Sequence, residues 1–272
     1  SGPGASQASV AKAHRQVNVR PTGGNEVDFV WHSGPPWYRT GFGQQAGMVL
    51  NSLAALDYRF VVSSPEPPQE GLAGVPYLPS PELSGRDLAR NTHAAFSGAS
   101  SRPRAIAFVN SERIADDLCE DLDLVLWLPF NFSPPPRRLR SYIASRGPTQ
   151  VLALTNWAQS SLKENGIEST YMPHGVDRSV FTPAPDRGIV MRERLGLGRG
   201  AFVAGFVGAN NEWFGNRKSL PEILAAFSAF AATHADAYLY LHTDMSGRLL
   251  GEGLDVLAIA EQFAPLSGRL LY

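Results

Sequence analysis

Much is scarce in this 272-residue chain, and each shortage excludes a class of protein. A single cysteine, Cys119, cannot close an internal disulfide, so a disulfide-stapled secreted scaffold is excluded and a reducing compartment fits. No apolar run approaches the roughly 18–20 residues needed to cross a bilayer, so no transmembrane segment is expected. The N-terminus also lacks the apolar core of a secretory signal. A cytoplasmic location is therefore the expectation, with peripheral attachment to a membrane left open. Net charge is −1, which argues against nucleic acid as a partner, because such proteins gather cations against phosphates. HExxH and CxxC spacings are missing, so no metal site is expected, and neither a Walker A loop nor a G-x-S-x-G elbow occurs. Asp116-Asp117 and Glu120-Asp121 read as a solvated turn, and no facing pair of carboxylates can be nominated for glycoside hydrolysis.

What the chain does have is 43% hydrophobic residues, enough for one large or two modest cores. Residues 1–25 are polar and rich in Gly, Ser and Ala, which reads as a flexible tail. From Val27 onward strand and helix signals alternate. Val27–His32, Arg59–Ser63, a short strand near Val75, Arg104–Val109, Leu122–Leu128, Val151–Thr155 and Thr170–Pro173 read as strands. Helices are expected after Gly41, from Ser111, across the basic Arg137-Arg138-Leu139-Arg140, and between Thr155 and Gly166. Apolar strands alternating with helices predict an α/β fold with a parallel sheet covered on both faces. A composition break at Pro183-Ala184-Pro185 divides a Rossmann-like domain, residues 26–182, from a second and incomplete one, 183–272.

The densest pattern runs from Phe202 to Asp244. Phe202-Val203-Ala204-Gly205-Phe206-Val207-Gly208 reads as a buried strand. Ser219-Leu220-Pro221-Glu222 has capping-box spacing, and Leu220, Ile223, Leu224, Phe227 and Phe230 give the following helix one buried face. Tyr238-Leu239-Tyr240-Leu241 is the next strand. Arg217 and Lys218 sit directly before the helix, where the dipole disfavours cations by a few tenths of a kcal/mol. An anion held between pair and helix, a phosphate above all, would account for them; a solvated Arg-Lys on a loop is the plainer alternative.

Asn210 to Phe227 with "HADAYLYLHTD", "MPHGVDRSVFTP" (Met172 to Pro183) and "TGFGQQ" (Thr40 to Gln45) occur here in the order found in retaining glycosyltransferases of family four. The chain resembles that family from about Val27 to its end. The resemblance implies a GT-B fold, with an acceptor domain followed by a nucleotide-sugar donor domain. It implies transfer of a sugar from a nucleotide-sugar to an acceptor hydroxyl of unknown kind, with retention and without an obligatory metal or other cofactor. Two departures stand out. Ala209-Asn210 occupy the place where the family carries an Arg, and nothing matches its later Glu-rich segment. The second departure leads to the expectation of an unfinished second sheet, covered by further chain or by self-association. A non-catalytic module of the same fold, binding a glycan, a nucleotide or a protein, or else a truncated inactive fragment, is the rival reading.

Site candidates follow from residues and resemblance together. Lys218 matches the family's Lys and Arg217 is a substitute beside it, both toward the donor diphosphate. Gly41 and Gly43 join them there. Gly41-Phe42-Gly43-Gln44-Gln45-Ala46 also fits a dinucleotide fingerprint, but Ser33–Thr40 separate it from its strand and no acid ends the next one. Glycines that only permit a tight turn into the helix are a third possibility. Trp37, Tyr38 and Asn131 are acceptor-side candidates; an amide such as Asn131 orients a hydroxyl but takes no proton. His174 and Gly175 are interdomain candidates, the His most simply bonded to a backbone carbonyl. Thr243 and Asp244 are nucleotide-side candidates.

Overall fold

The computed structural model describes residues 27–38, 40–68, 75–99, 101–109, 122–130, 132–145, 150–210, 218–248 and 253–272. The tail, the segment around Cys119 with the helix expected from Ser111, Asn131 and Arg217 lie outside them. The chain divides into two compact units, one ending at Phe181 and one beginning at Thr182.

In the first unit the strands are β1 (Phe29–Ser33), β2 (Phe60–Ser64), β3 (Tyr77–Pro79), β4 (Arg104–Phe108), β5 (Asp123–Leu128), β6 (Gln150–Ala153) and β7 (Thr170–Tyr171). They form one parallel sheet in the order β3-β2-β1-β4-β5-β6-β7, reversing direction of growth between β1 and β4. This is the doubly wound order, with a crevice at the C-terminal ends of β1 and β4 where such folds bind ligands. The helices are α1 (Gly41–Ala55), α2 (Gly85–Ala95), α3 (Arg137–Ser145) and α4 (Asn156–Glu164). One apolar cluster gathers Val30, Leu88, Leu124, Leu126, Leu139 and Leu162. A second, aromatic cluster holds Phe29, Trp31, Phe60, Phe108 and Trp127 with Leu50 of α1. Together they cover both faces, as the continuous apolar strands predict.

Helix α2 was not foreseen from the sequence, because its inner face is polar. Asp87, Asn91 and Thr92 are buried beside Leu88. Asn91 Nδ2 donates to Ser63 Oγ (2.8 Å) and to the Pro79 carbonyl (3.0 Å). Asp87 accepts from Ser80 Oγ (3.2 Å) and the Glu82 amide (3.2 Å), and pairs with Arg90 at 2.9 Å. Buried polar groups persist where such partners satisfy them. On the same side, His32 Nδ1 lies 2.9 Å from Ser63 Oγ. Burial pushes the His32 pKa down to about 4, against the opposing influence of the Leu83 backbone and Asp87, so the ring is neutral.

The second unit has α5 (Pro185–Arg194), β8 (Phe202–Val207), α6 (Leu220–Ala231), β9 (Ala237–His242), α7 (Val256–Ala260) and β10 (Leu270–Leu271). Its parallel sheet has the order β10-β9-β8. Leu220, Leu224 and Phe227 of α6 pack on Leu239 and Leu241 of β9 and on Val256 of α7. That is the apolar face read from the helical spacing for Leu220, Leu224 and Phe227, with Ile223 half-buried beside them; Phe230, expected on the same face, is exposed.

Two other expectations fail here. The strand expected to be buried, β8, has no buried residue: Phe202, Gly205 and Val207 are exposed and Val203, Ala204 and Phe206 half-buried. It lies at the edge of its sheet, with β9 on one side and, among the described residues, no strand on the other. Ser219 does not cap α6. Its backbone is left-handed (φ 54, ψ 37), which turns the hydroxyl away from the first-turn amides, and no side-chain cap bond forms. A capping residue needs extended backbone angles instead.

Candidate functional site

Two groups of residues lie at the C-terminal ends of the parallel strands, one in each unit. In the first unit, β1 leads through the 34–40 loop into α1. Thr40, in extended conformation, caps the helix by accepting the Gly43 amide at 3.0 Å. Gly41 is exposed with open space around it. Gly43 is buried, and a Cβ there would lie 2.3 Å from the Tyr38 carbonyl oxygen and 2.7 Å from that of Pro35. With its amide committed to Thr40, Gly43 makes room for its own loop. Gly43→Val would therefore disturb the loop and the start of α1.

Trp37 is half-buried and stands edge-on to Tyr77, ring centroids 6.2 Å apart, while Tyr38 donates its hydroxyl to Glu66. Both aromatics proposed for the acceptor side thus make ring or hydroxyl contacts within the unit, while Trp37 Nε1 is buried without a hydrogen-bond partner among the described residues.

His174 and Gly175 belong to the first unit, in a segment that crosses the strand ends. The Met172 amide donates to the Ala153 carbonyl (2.8 Å), and Trp127 Nε1 donates to the Met172 carbonyl (3.1 Å). Gln45 Nε2 donates to the Gly175 carbonyl (3.1 Å), which ties this segment to α1. The His174 ring stands edge-on to Phe108 (5.7 Å) and Trp127 (5.9 Å). It makes no hydrogen bond with the described residues, where a backbone partner was expected. Desolvation pushes its pKa below the ordinary 6.5.

In the second unit, Lys218 is half-buried directly before α6 and forms no ion pair or hydrogen bond with the described residues. The α6 N-terminus has no side-chain cap, and its second residue, Pro221, has no amide hydrogen. An uncapped helix start with a lysine beside it suits an anion. Thr243 Oγ1, after β9, is buried without a hydrogen-bond partner among the described residues. Asp244 Oδ1 accepts the Ser246 amide (3.0 Å) and hydroxyl (2.8 Å). Asn210, where the resemblance led to the expectation of an Arg, is buried and turned inward onto the Asp244 and Leu254 carbonyls. Sequence reasoning passed over it as a departure from a motif, although a polar residue just past a strand end was the signal to follow. Among the described residues no three His, Cys, Asp or Glu side chains are grouped to hold a metal. No helix among them is long and apolar enough to cross a membrane.

No family model matches the chain, and no curated protein matches it. Solved structures do. The chain is similar to a glycosyltransferase from Rickettsia africae ESF-5, with 13% identity and a TM-score of 0.60 over 89% of this chain and 67% of that one. It is similar to a trehalose-6-phosphate structure from E. coli bound with UDP-2-fluoro glucose, with 10% identity and a TM-score of 0.50 over 89% and 73%. The N-terminal domain of Candida albicans trehalose-6-phosphate phosphatase gives 9% identity and a TM-score of 0.51 over 92% and 73%. At such identities the likeness establishes the fold. The chain has the GT-B-like α/β fold, one full Rossmann-like unit followed by a second with a smaller parallel sheet.

Proposed function

We propose that the protein transfers a sugar from a nucleotide-sugar to an acceptor hydroxyl with retention of configuration. Fold neighbours support glycosyl transfer in general, and one of them is bound with UDP-2-fluoro glucose. The observation that carries the finer reading is the start of α6, an uncapped helix N-terminus at the C-terminal ends of β8 and β9 with Lys218 against it. There the donor diphosphate would be held by Lys218, with Arg217 beside it in sequence, and by the helix dipole. Charge-assisted bonds are each worth on the order of 1.5–3 kcal/mol, and their share rises as the bond to the sugar breaks and charge collects on the leaving diphosphate. The reading needs no resident cofactor. The acceptor is a hydroxyl of unassigned class, received by the first unit near Trp37, Tyr38 and His174.

Titration of the protein with UDP, GDP and ADP, alongside turnover of the matching nucleotide-sugars, tests this. Lys218→Ala is expected to weaken binding of the accepted diphosphate about tenfold and to lower turnover at least as much, with no sensitivity to EDTA. Unchanged affinity and rate in that variant would move the anion site elsewhere. Binding without turnover would instead favour the non-catalytic module.

A further inference from the structure

From Leu124 to Lys163 the chain carries four arginines and one lysine, and no aspartate or glutamate. In a chain of net charge −1 that is a local excess of one sign. The fold gathers part of this run at one corner of the first unit. Helices α3 and α4 follow the neighbouring parallel strands β5 and β6, so both begin at the end of the sheet where those strands finish. Ser161 Oγ of α4 donates to Ser133 Oγ at 2.9 Å, which fastens the loop before α3 to α4. Trp157 stands one turn before Ser161 on the same face of α4, and Phe132 immediately precedes Ser133. Phe132 is 53% and Trp157 52% exposed, where large rings are ordinarily well covered. Pro134, beside them in the loop, is exposed too. Thr155 caps α4 by accepting the Ala158 amide (3.0 Å), so the indole is carried by an ordered helix start. Arg137 and Arg138 open α3 and are exposed. In the same turn Arg140 Nε donates to the Pro135 carbonyl (3.0 Å) and its Nη1 to Asn165 Oδ1 (3.5 Å), which ties α3 to the end of α4.

We propose that this corner, with Phe132 and Trp157 at its centre and Arg137 and Arg138 beside them, docks on the surface of an anionic membrane. An indole settles at headgroup level, its apolar body toward the acyl chains and its N–H toward water. The charge of the run has a single sign, which matches the uniform negative potential of anionic headgroups. Each arginine brought to such a surface strengthens binding about fivefold. A protein partner offers charges of both signs and would be met by both, whereas this run holds no carboxylate. Two rings or two cations alone give marginal attachment; together they give a reversible one. The mode is attachment rather than passage, since no helix among the described residues is long and apolar enough to cross a bilayer. The inference is independent of the donor-site reading, because no residue of the second unit takes part.

Sedimentation of the whole chain with lipid vesicles tests it. Binding is expected with phosphatidylcholine vesicles that contain phosphatidylglycerol, to weaken as salt is raised, and to be absent with phosphatidylcholine alone. Phe132→Ala combined with Trp157→Ala should lower partitioning by about tenfold or more at an unchanged melting temperature. Arg137→Glu should lower it about as much through charge alone, and it carries the test should the double variant not fold. Brominated lipid should quench the tryptophan fluorescence of the parent, and Trp157→Phe should lose most of that quenching. A parent that does not sediment with anionic vesicles overturns the inference. Binding that the double variant and Arg137→Glu both retain places the contact elsewhere and overturns it equally, as does equal binding to phosphatidylcholine alone. Displacement from vesicles by soluble glycerol phosphate would reveal a site for one free phosphate instead, and would overturn it too.

Discussion

β1 and β8 hold the same place in chain order and have opposite surroundings. Each is the first strand of its unit and pairs in parallel with the second, and the third lies beyond. β1 also has β4 on its other side, and all five of its residues are buried, including His32 and Ser33. The six residues of β8, Phe202-Val203-Ala204-Gly205-Phe206-Val207, contain no polar side chain, yet none is buried. Apolarity of a strand therefore does not set its burial; the number of its neighbours does. Where neighbours enforce burial on polar groups, partners must be found. Trp31 Nε1 donates to Ser33 Oγ (2.8 Å), which donates to the Gly34 carbonyl (2.6 Å), and His32 meets Ser63. Where neighbours are few, an edge remains available for pairing.

The sharpest way to break this comparison is to truncate one large side chain in each strand. Trp31 is 1% exposed and packed among Phe108 and Trp127, at 5.9 and 6.2 Å between ring centroids. Trp31→Ala is expected to cost about 3–5 kcal/mol, since the cavity cannot close within a sheet covered on both faces. Val207 is 75% exposed, and Val207→Ala should change stability by less than about 0.5 kcal/mol. Denaturant unfolding of both variants measures the difference. A Val207→Ala loss close to that of Trp31→Ala would show that β8 is covered in solution.

The next effect belongs to the polar end of β1. Since the folded His32 pKa is about 4 and its ordinary value 6.5, the unfolded chain binds the extra proton first on acidification. A depressed folded pKa means full stability above pH 6.5, lost progressively as pH falls toward 4. The loss amounts to on the order of 3 kcal/mol by the bottom of that window. His32→Asn should remove this slope between pH 6.5 and 4 while lowering stability at pH 7.5. Melting curves across the window decide it; a slope identical in parent and variant would assign the acid sensitivity to other groups.

The parts of the fold legible in the sequence are those where apolar residues mark a period. β1, β2, β4, β5, β6 and α6 emerge close to their observed bounds from short apolar runs and from the Leu220–Phe227 spacing. α2 was hidden because Asp87, Asn91 and Thr92 face inward, so burial and hydrophobicity part company there. The exposure of β8 was hidden because topology, not composition, decides an edge. In the site, Lys218 stood out as a cation before a helix. Asn210 did not, because its three bonds reach residues 34 and 44 positions away, and no local pattern carries such contacts.

The smallest expected effects concern how the helices of the two units begin. Thr40, Ser84 and Thr155 in the first unit have extended backbone angles and accept the amides of Gly43, Asp87 and Ala158. Replacing any of them by Ala should cost about 1 kcal/mol, through the loss of one bond to an otherwise orphaned donor. Ser219 in the second unit accepts no such bond and holds a left-handed backbone that glycine adopts without a Cβ penalty. Ser219→Ala is thus expected to cost less than the other three, and Ser219→Gly to be neutral or stabilising by up to about 1 kcal/mol. The contrast sharpens further with a ligand present. If the open start of α6 serves an anion, a nucleoside diphosphate should raise the melting temperature of Ser219→Gly as much as that of the parent, because the hydroxyl takes no part. A Ser219→Ala loss as large as that of Thr40→Ala would mean that Ser219 caps α6 in solution, and would close the helix start proposed to take an anion.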